Sequence, residues 1–72
     1  MIDQIQEFHS DLEKGQYVKI ITILDNYVTY VNRTDLLKEE SSNLLLIFRA
    51  NGAKVALNTD YVVSCSIVKA RF

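Results

Sequence analysis

The 72 residues, 49% hydrophobic and 24% charged, make one small globular domain spanning 1–72, a mixture too apolar to stay disordered. A net charge of −1 argues against bulk, sequence-independent capture of nucleic acid. Cys65 and His9, the only cysteine and the only histidine, leave no intrachain disulfide and no Cys/His zinc set, so neither metal nor cofactor is expected.

The chain opens Met-Ile-Asp-Gln, without the basic region and apolar run of a secretory signal. Its apolar stretches, such as Leu44 to Phe48, are far too short to span a bilayer. With a free thiol, these features lead us to expect a cytoplasmic protein that stays off the membrane. The spacing of Ile2, Ile5, Phe8, His9 and Leu12 then predicts a helix over 3–14, with Gln4, Gln6, Glu7, Asp11 and Glu13 opposite. Asp3 is placed to cap it, and Lys14-Gly15 to stop it.

After Gly15 the apolar period changes to two. Residues 16–24 read as a β-branched and aromatic strand, apolar on both faces, and Asp25-Asn26 as a tight turn. One long strand is expected over 27–37, carrying Val28, Tyr30 and Leu36 on one face, and Lys38 to Ser42 as a polar loop. A third strand follows at 43–49, then Asn51-Gly52 as a type I′ hairpin turn. A fourth strand is expected at 54–57, a one-turn connector at Asn58-Thr59-Asp60, and a fifth strand at 61–68. The fold class is therefore mainly β: an N-terminal helix, then a five-stranded, strongly bent antiparallel sheet forming a small barrel.

Two blocks resemble the Sm-like fold of RNA-binding ring proteins, which includes bacterial Hfq and shares the small SH3-like barrel. Asn43-Leu44-Leu45-Leu46 is similar to the Asn-Leu-Val-Leu run that opens the family's third strand. Ala56 to Val63 is similar to its Ile-Arg-Gly-Asp-Asn-Val-Val block, with an apolar pair on each side of a three-residue turn containing Asp60. The chain departs from the pattern at Asn58 and Thr59, where the family has arginine and glycine, and at Glu39, where it usually has aspartate. The second-strand glycine and the Lys-His pair of Hfq are also absent.

The resemblance implies that Asn43 faces a central pore and hydrogen-bonds a base edge, with Asn58 on the facing connector. The simpler alternative is an asparagine that closes a loop and starts a strand. Glu39 would gather near the same axis in a ring, or else belong to a solvated loop. Tyr27 and Tyr30 are aromatics available for base stacking, although strand aromatics more often serve cores or subunit contacts. Arg49 and Lys54 stand with Lys69 and Arg71 in a half of the chain, 41–72, that carries +3 against −4 for 1–40. They form a candidate phosphate-attracting rim, or else scattered surface charge.

His9 has no positioned partner set, and no phosphate cradle or catalytic triad appears, so an enzyme is not expected. A core this small gains from subunit contacts. The stretch 54–68 has no proline and only Lys54 and Asp60 as charges, so its strand edges are open to pairing. Head-to-tail pairing would set Val55 and Leu57 of one copy beside Tyr61, Val63 and Cys65 of the next. It would close a homo-oligomeric ring, of about five to seven subunits by the family resemblance. Two functions follow: a ring holding short, uridine-rich single-stranded RNA, or a small-barrel interaction protein binding a partner protein or small nucleotide. The compact, proline-free chain would suit a phage or mobile-element setting.

Overall fold

The computed structural model describes residues 1–23 and 28–70. The expected turn at Asp25-Asn26, Tyr27 and the Arg71-Phe72 tail lie outside them. Among the described residues the fold is mainly β, with one N-terminal helix and six strands in two antiparallel sheets. No described helix is long and apolar enough to cross a membrane.

Helix α1 spans Ile2–Ser10, shorter than the 3–14 expected. Glu13 N–H is claimed by the Gln16 Oε1 at 2.8 Å, and Gln16 N–H returns to the Glu13 carbonyl at 3.0 Å. This small turn takes the last residues out of the helical ladder. Met1, not Asp3, is the N-cap, and it makes no side-chain cap bond. Asp3 instead sits in the first turn, where its charge complements the helix dipole. Gly15 has φ +86, the left-handed conformation expected of it.

Strand β1, Gln16–Thr22, is the centre of the first sheet, in the order β2–β1–β6. Its partners are β2, Val28–Asn32, and β6, Val62–Lys69. The second sheet, β3–β4–β5, comprises Leu36–Ser41, Leu44–Phe48 and Lys54–Asn58. The two sheets do not form a closed barrel, and the expected five strands become six. The difference lies in the long second strand, which breaks at Arg33-Thr34. There Asp35 N–H donates to the Asn32 carbonyl at 3.1 Å, while the Asp35 Oδ2 accepts Asn32 N–H at 2.8 Å. That turn sends β2 into one sheet and β3 into the other. The residues expected as a loop, Lys38 to Ser41, continue β3 as an edge strand and are exposed.

One core joins both sheets to the helix: Ile2 and Ile5 of α1, and Leu12 just beyond its end, meet Val18, Ile20, Val31, Leu45, Ile47 and Leu57. The helix therefore caps the space between the sheets, on the side of β1 that carries Val18 and Ile20. Phe8 only packs against this cluster while half-exposed. The β4–β5 hairpin is a three-residue loop, not the two-residue turn expected. Gly52 N–H bonds to the Arg49 carbonyl at 3.0 Å, Arg49 N–H bonds to the Ala53 carbonyl at 2.8 Å, and Gly52 takes φ +92. This is a turn centred on Ala50-Asn51, followed by a left-handed glycine.

Burial ranks the helix side chains. Ile5→Ala is expected to cost about 2–5 kcal/mol, because Ile5 is fully buried. Phe8→Ala should cost less than Ile5→Ala despite removing more atoms. Urea unfolding of the two variants checks the order.

Candidate functional site

Two places bring polar side chains together. The first is a corner where β3 turns into β4 and β5 leads into the 3-10 turn Thr59–Tyr61. Asn43 donates from Nδ2 to the Asp60 Oδ2 at 3.1 Å and accepts at Oδ1 from the Ser41 hydroxyl at 3.0 Å. Its carbonyl accepts Thr59 N–H at 2.9 Å. Asn58, cross-strand from Leu44, accepts Asp60 N–H at its Oδ1, at 3.0 Å. Asn43 and Asn58 thus meet around Asp60.

The same bonds give Asn43 the loop-closing role as well. One amide hydrogen of Asn43, both of Asn58 and the remaining lone pairs are left by these bonds for anything placed against the corner. Asp60 in the corner, and Glu39 and Glu40 on the strand that leads into it, are exposed acids. Lys38 reaches Glu40 only at 3.9 Å, both highly exposed, a pair of little energetic weight. Glu40 is skipped in the β3–β4 register, between Glu39↔Leu45 and Ser41↔Leu44, so the strand bulges into this corner.

The second place lies between the outer face of β1–β2 and the β4–β5 hairpin. Asp35 is 3% exposed and sits 2.8 Å from the Arg49 Nη1. It also accepts Ala50 N–H at 3.3 Å, and Arg49 Nη1 donates to the Tyr30 carbonyl. His9 Nε2 contacts the Asn32 carbonyl at 3.0 Å, tying the helix to the same turn. Burial alone would push the Asp35 carboxyl up. The hydrogen bonds from Asn32, Arg49 and Ala50, with the Arg49 charge, more than offset this and hold it below the ordinary value. A cleft of about 310 Å³ opens beside the pair, bounded by Tyr17, Tyr30, Asn32 and Asn51 as well.

Arg49 is therefore paired with Asp35. The Lys54 Nζ lies 5.5 Å from the centre of the Phe48 ring, a cation–π arrangement across the β4–β5 ladder. Of the residues expected at a subunit contact, Tyr61 and Val63 are exposed, while Val55 and Cys65 are half-buried against the core. Leu57 belongs to the protomer's own core and offers a partner only its backbone. Burial also pushes the Cys65 thiol up, so it stays protonated at neutral pH. Asp35 was not among the residues singled out from sequence. Its signal was the polar run Asn32-Arg33-Thr34-Asp35 inside an otherwise apolar stretch.

Comparison with known proteins returns no matching family model, no matching curated protein and no matching solved structure.

Removing the Asp35 carboxylate strands the Arg49 charge, and Asp35→Ala is expected to cost about 3–5 kcal/mol. Because the folded carboxyl titrates below its unfolded value, its stabilisation is complete at neutral pH, above about 3.9. It is lost as pH falls through the lower folded value. The stability gap between wild type and Asp35→Asn should therefore be constant near neutrality and narrow below about pH 4. Thermal melts at a series of pH values read it.

Proposed function

We propose that the chain is the subunit of a homo-oligomeric Sm-like ring that holds short, uridine-rich single-stranded RNA at the Asn43–Asn58 corner. The observation that carries this reading is the open edges of β5 and β6, two of the four edge strands that the two three-stranded sheets leave among the described residues. β5 pairs only with β4, and β6 only with β1, so each has one unpaired edge among the described residues. Such edges invite pairing unless blocked, and neither strand contains proline. β5 of one copy against β6 of the next is a heterologous contact, which closes into a ring when the rotation allows.

Further features support the reading. The chain passes from one sheet into the other at the break between β2 and β3, and the helix covers one end of the core, a layout akin to that of a small Sm-like barrel. The β1–β6 register passes from Ile21↔Ser64 to Thr22↔Val62, which leaves Val63 as an extra residue. Val63 is 58% exposed and Tyr61 41%, so apolar side chains flank the open edge. The corner lies directly before β6, so a ring built on this edge repeats Asn43 and Asn58 once per subunit.

The second reading is an interaction protein with the same small barrel. The acidic side chains of the corner and the commitment of Arg49 to Asp35 favour it. A partner protein presenting basic residues matches that charge better than a phosphate backbone does. Neither reading requires bond-making chemistry, and we propose no enzymatic activity. A cytoplasmic location goes with both.

Light scattering after size exclusion should give a mass several times that of one chain, and Val63→Lys should reduce it to the monomer. A wild-type monomer at micromolar concentration would overturn the ring. Asn43→Ala should weaken oligo(U) by about 1–3 kcal/mol while leaving the assembly intact. Absence of oligonucleotide binding to wild type at low salt would leave the partner-protein reading.

A further inference from the structure

The cleft beside Arg49 is separate from the corner, and its lining has the character of a ring-binding site. On β1 and β2 the inward positions are Val18, Ile20, Thr29 and Val31, all buried. The outward positions are therefore Tyr17 and Lys19 on β1, with Tyr30 and Asn32 on β2. The register sets Tyr17 opposite Asn32 and Lys19 opposite Tyr30. Tyr17 and Tyr30 are thus diagonal neighbours on one face, a relation that separates side chains by about 7–8 Å. A planar ring held between two aromatic side chains needs two contacts of about 3.5 Å each. The spacing fits.

Polar groups border the same space. Both described bonds of the Arg49 guanidinium leave from Nη1, to Asp35 and to the Tyr30 carbonyl. Its Nη2 and Nε retain donors for a ligand oxygen or ring nitrogen. Asn51 lines the cleft from the hairpin; its Oδ1 accepts Ala53 N–H at 2.9 Å, and its amide N–H groups remain as donors. Asp35 is neutralised by Arg49, and Lys19 stands next to Tyr30 on the outer face, so the cleft does not repeat the acidic character of the corner. Its volume of about 310 Å³ is at the small end of ligand pockets.

We propose that this cleft binds a nucleobase, stacked against Tyr30 and Tyr17, with its acceptor atoms turned to Arg49 and Asn51. Two aromatic faces suit any base, while a guanidinium and an amide favour one rich in carbonyl and ring-nitrogen acceptors. The site is complete within one subunit and does not rest on ring closure. Its base comes either from a free mononucleotide or from a strand of RNA.

The test is an NMR titration of the full chain at low salt with UMP, GMP and a uridine hexamer, repeated on Tyr30→Ala, Tyr30→Phe and Asn43→Ala. Tyr30 is 48% exposed, so its truncation leaves the core intact, and the amide spectrum verifies the fold of each variant. Shifts at Tyr17, Tyr30 and Asn51 are expected. Tyr30→Ala should weaken binding roughly 5- to 150-fold, while Tyr30→Phe keeps the ring and the affinity. Asn43→Ala should leave these shifts unchanged. A response to mononucleotides supports the proposal with a free nucleotide as ligand. A response to the hexamer alone, at the same residues, supports it with RNA as the source. Binding confined to Asn43 and Asn58 and indifferent to Tyr30→Ala would overturn the cleft while sparing the corner. Failure of every probe to perturb the cleft residues would overturn it as well.

Discussion

The ion pair between Asp35 and Arg49 is the joint on which the two sheets depend. Asp35 holds the turn that breaks the long second strand, through Asn32 N–H, and the base of the β4–β5 hairpin, through Arg49 and Ala50. Arg49 reaches back to the Tyr30 carbonyl on β2, so one pair of side chains bridges both sheets. Burying a carboxylate is costly, and the Coulomb attraction of one cation seldom offsets that cost alone. Here two backbone N–H groups share the work. The contribution lies as much in specificity as in stability: a strand free to run straight through Arg33-Thr34 would place β3 in the wrong sheet.

A second polar joint sits where β4 begins and β5 ends. Asn43, Asn58 and Asp60 tie the start of one strand to the connector that follows the other. Its groups are more exposed than Asp35, and its bonds use only part of each amide. That partial use allows a residue to hold a fold and still meet a ligand. The same economy marks Arg49, whose Nη1 is committed to structure while its other donors border the cleft.

The periodic parts of the fold were legible in the residues. The helix stripe, the shift to a period of two after Gly15, and the β-branched runs placed most elements within a few positions. What escaped was chemistry acting between distant residues. Asn32 and Asp35 close a turn in the middle of an apolar run, and nothing in local propensity weighs a buried carboxylate against an arginine fourteen positions on. The strand at Lys38 to Ser41 was hidden because an edge strand needs little apolar content. Asn43 and Asn58 drew notice through the resemblance of their two blocks, not through their shared contact with Asp60, which no local pattern signals. Arg49 and Lys54 were legible as charges but not as a committed ion pair and a ring contact, since both depend on the hairpin geometry.

The topology also orders the assembly of the domain in time. β3, β4 and β5 are joined by short connections, and each pairs with its neighbour in the chain. By contrast β1 pairs with β6 over a long register, Tyr17 against Val68, about fifty positions apart. Closing a loop of that size comes late, because its entropy must be lost before the ladder returns anything. The second sheet is thus local throughout, whereas the first has one local pair, β1–β2, and waits for its distant third strand. Until β6 arrives, β1 has β2 on one side and a bare apolar edge on the other. That interval exposes the chain to pairing with the wrong strand, and the Gly15 carbonyl, which accepts Ala70 N–H at 2.8 Å, is one of the last contacts to end it.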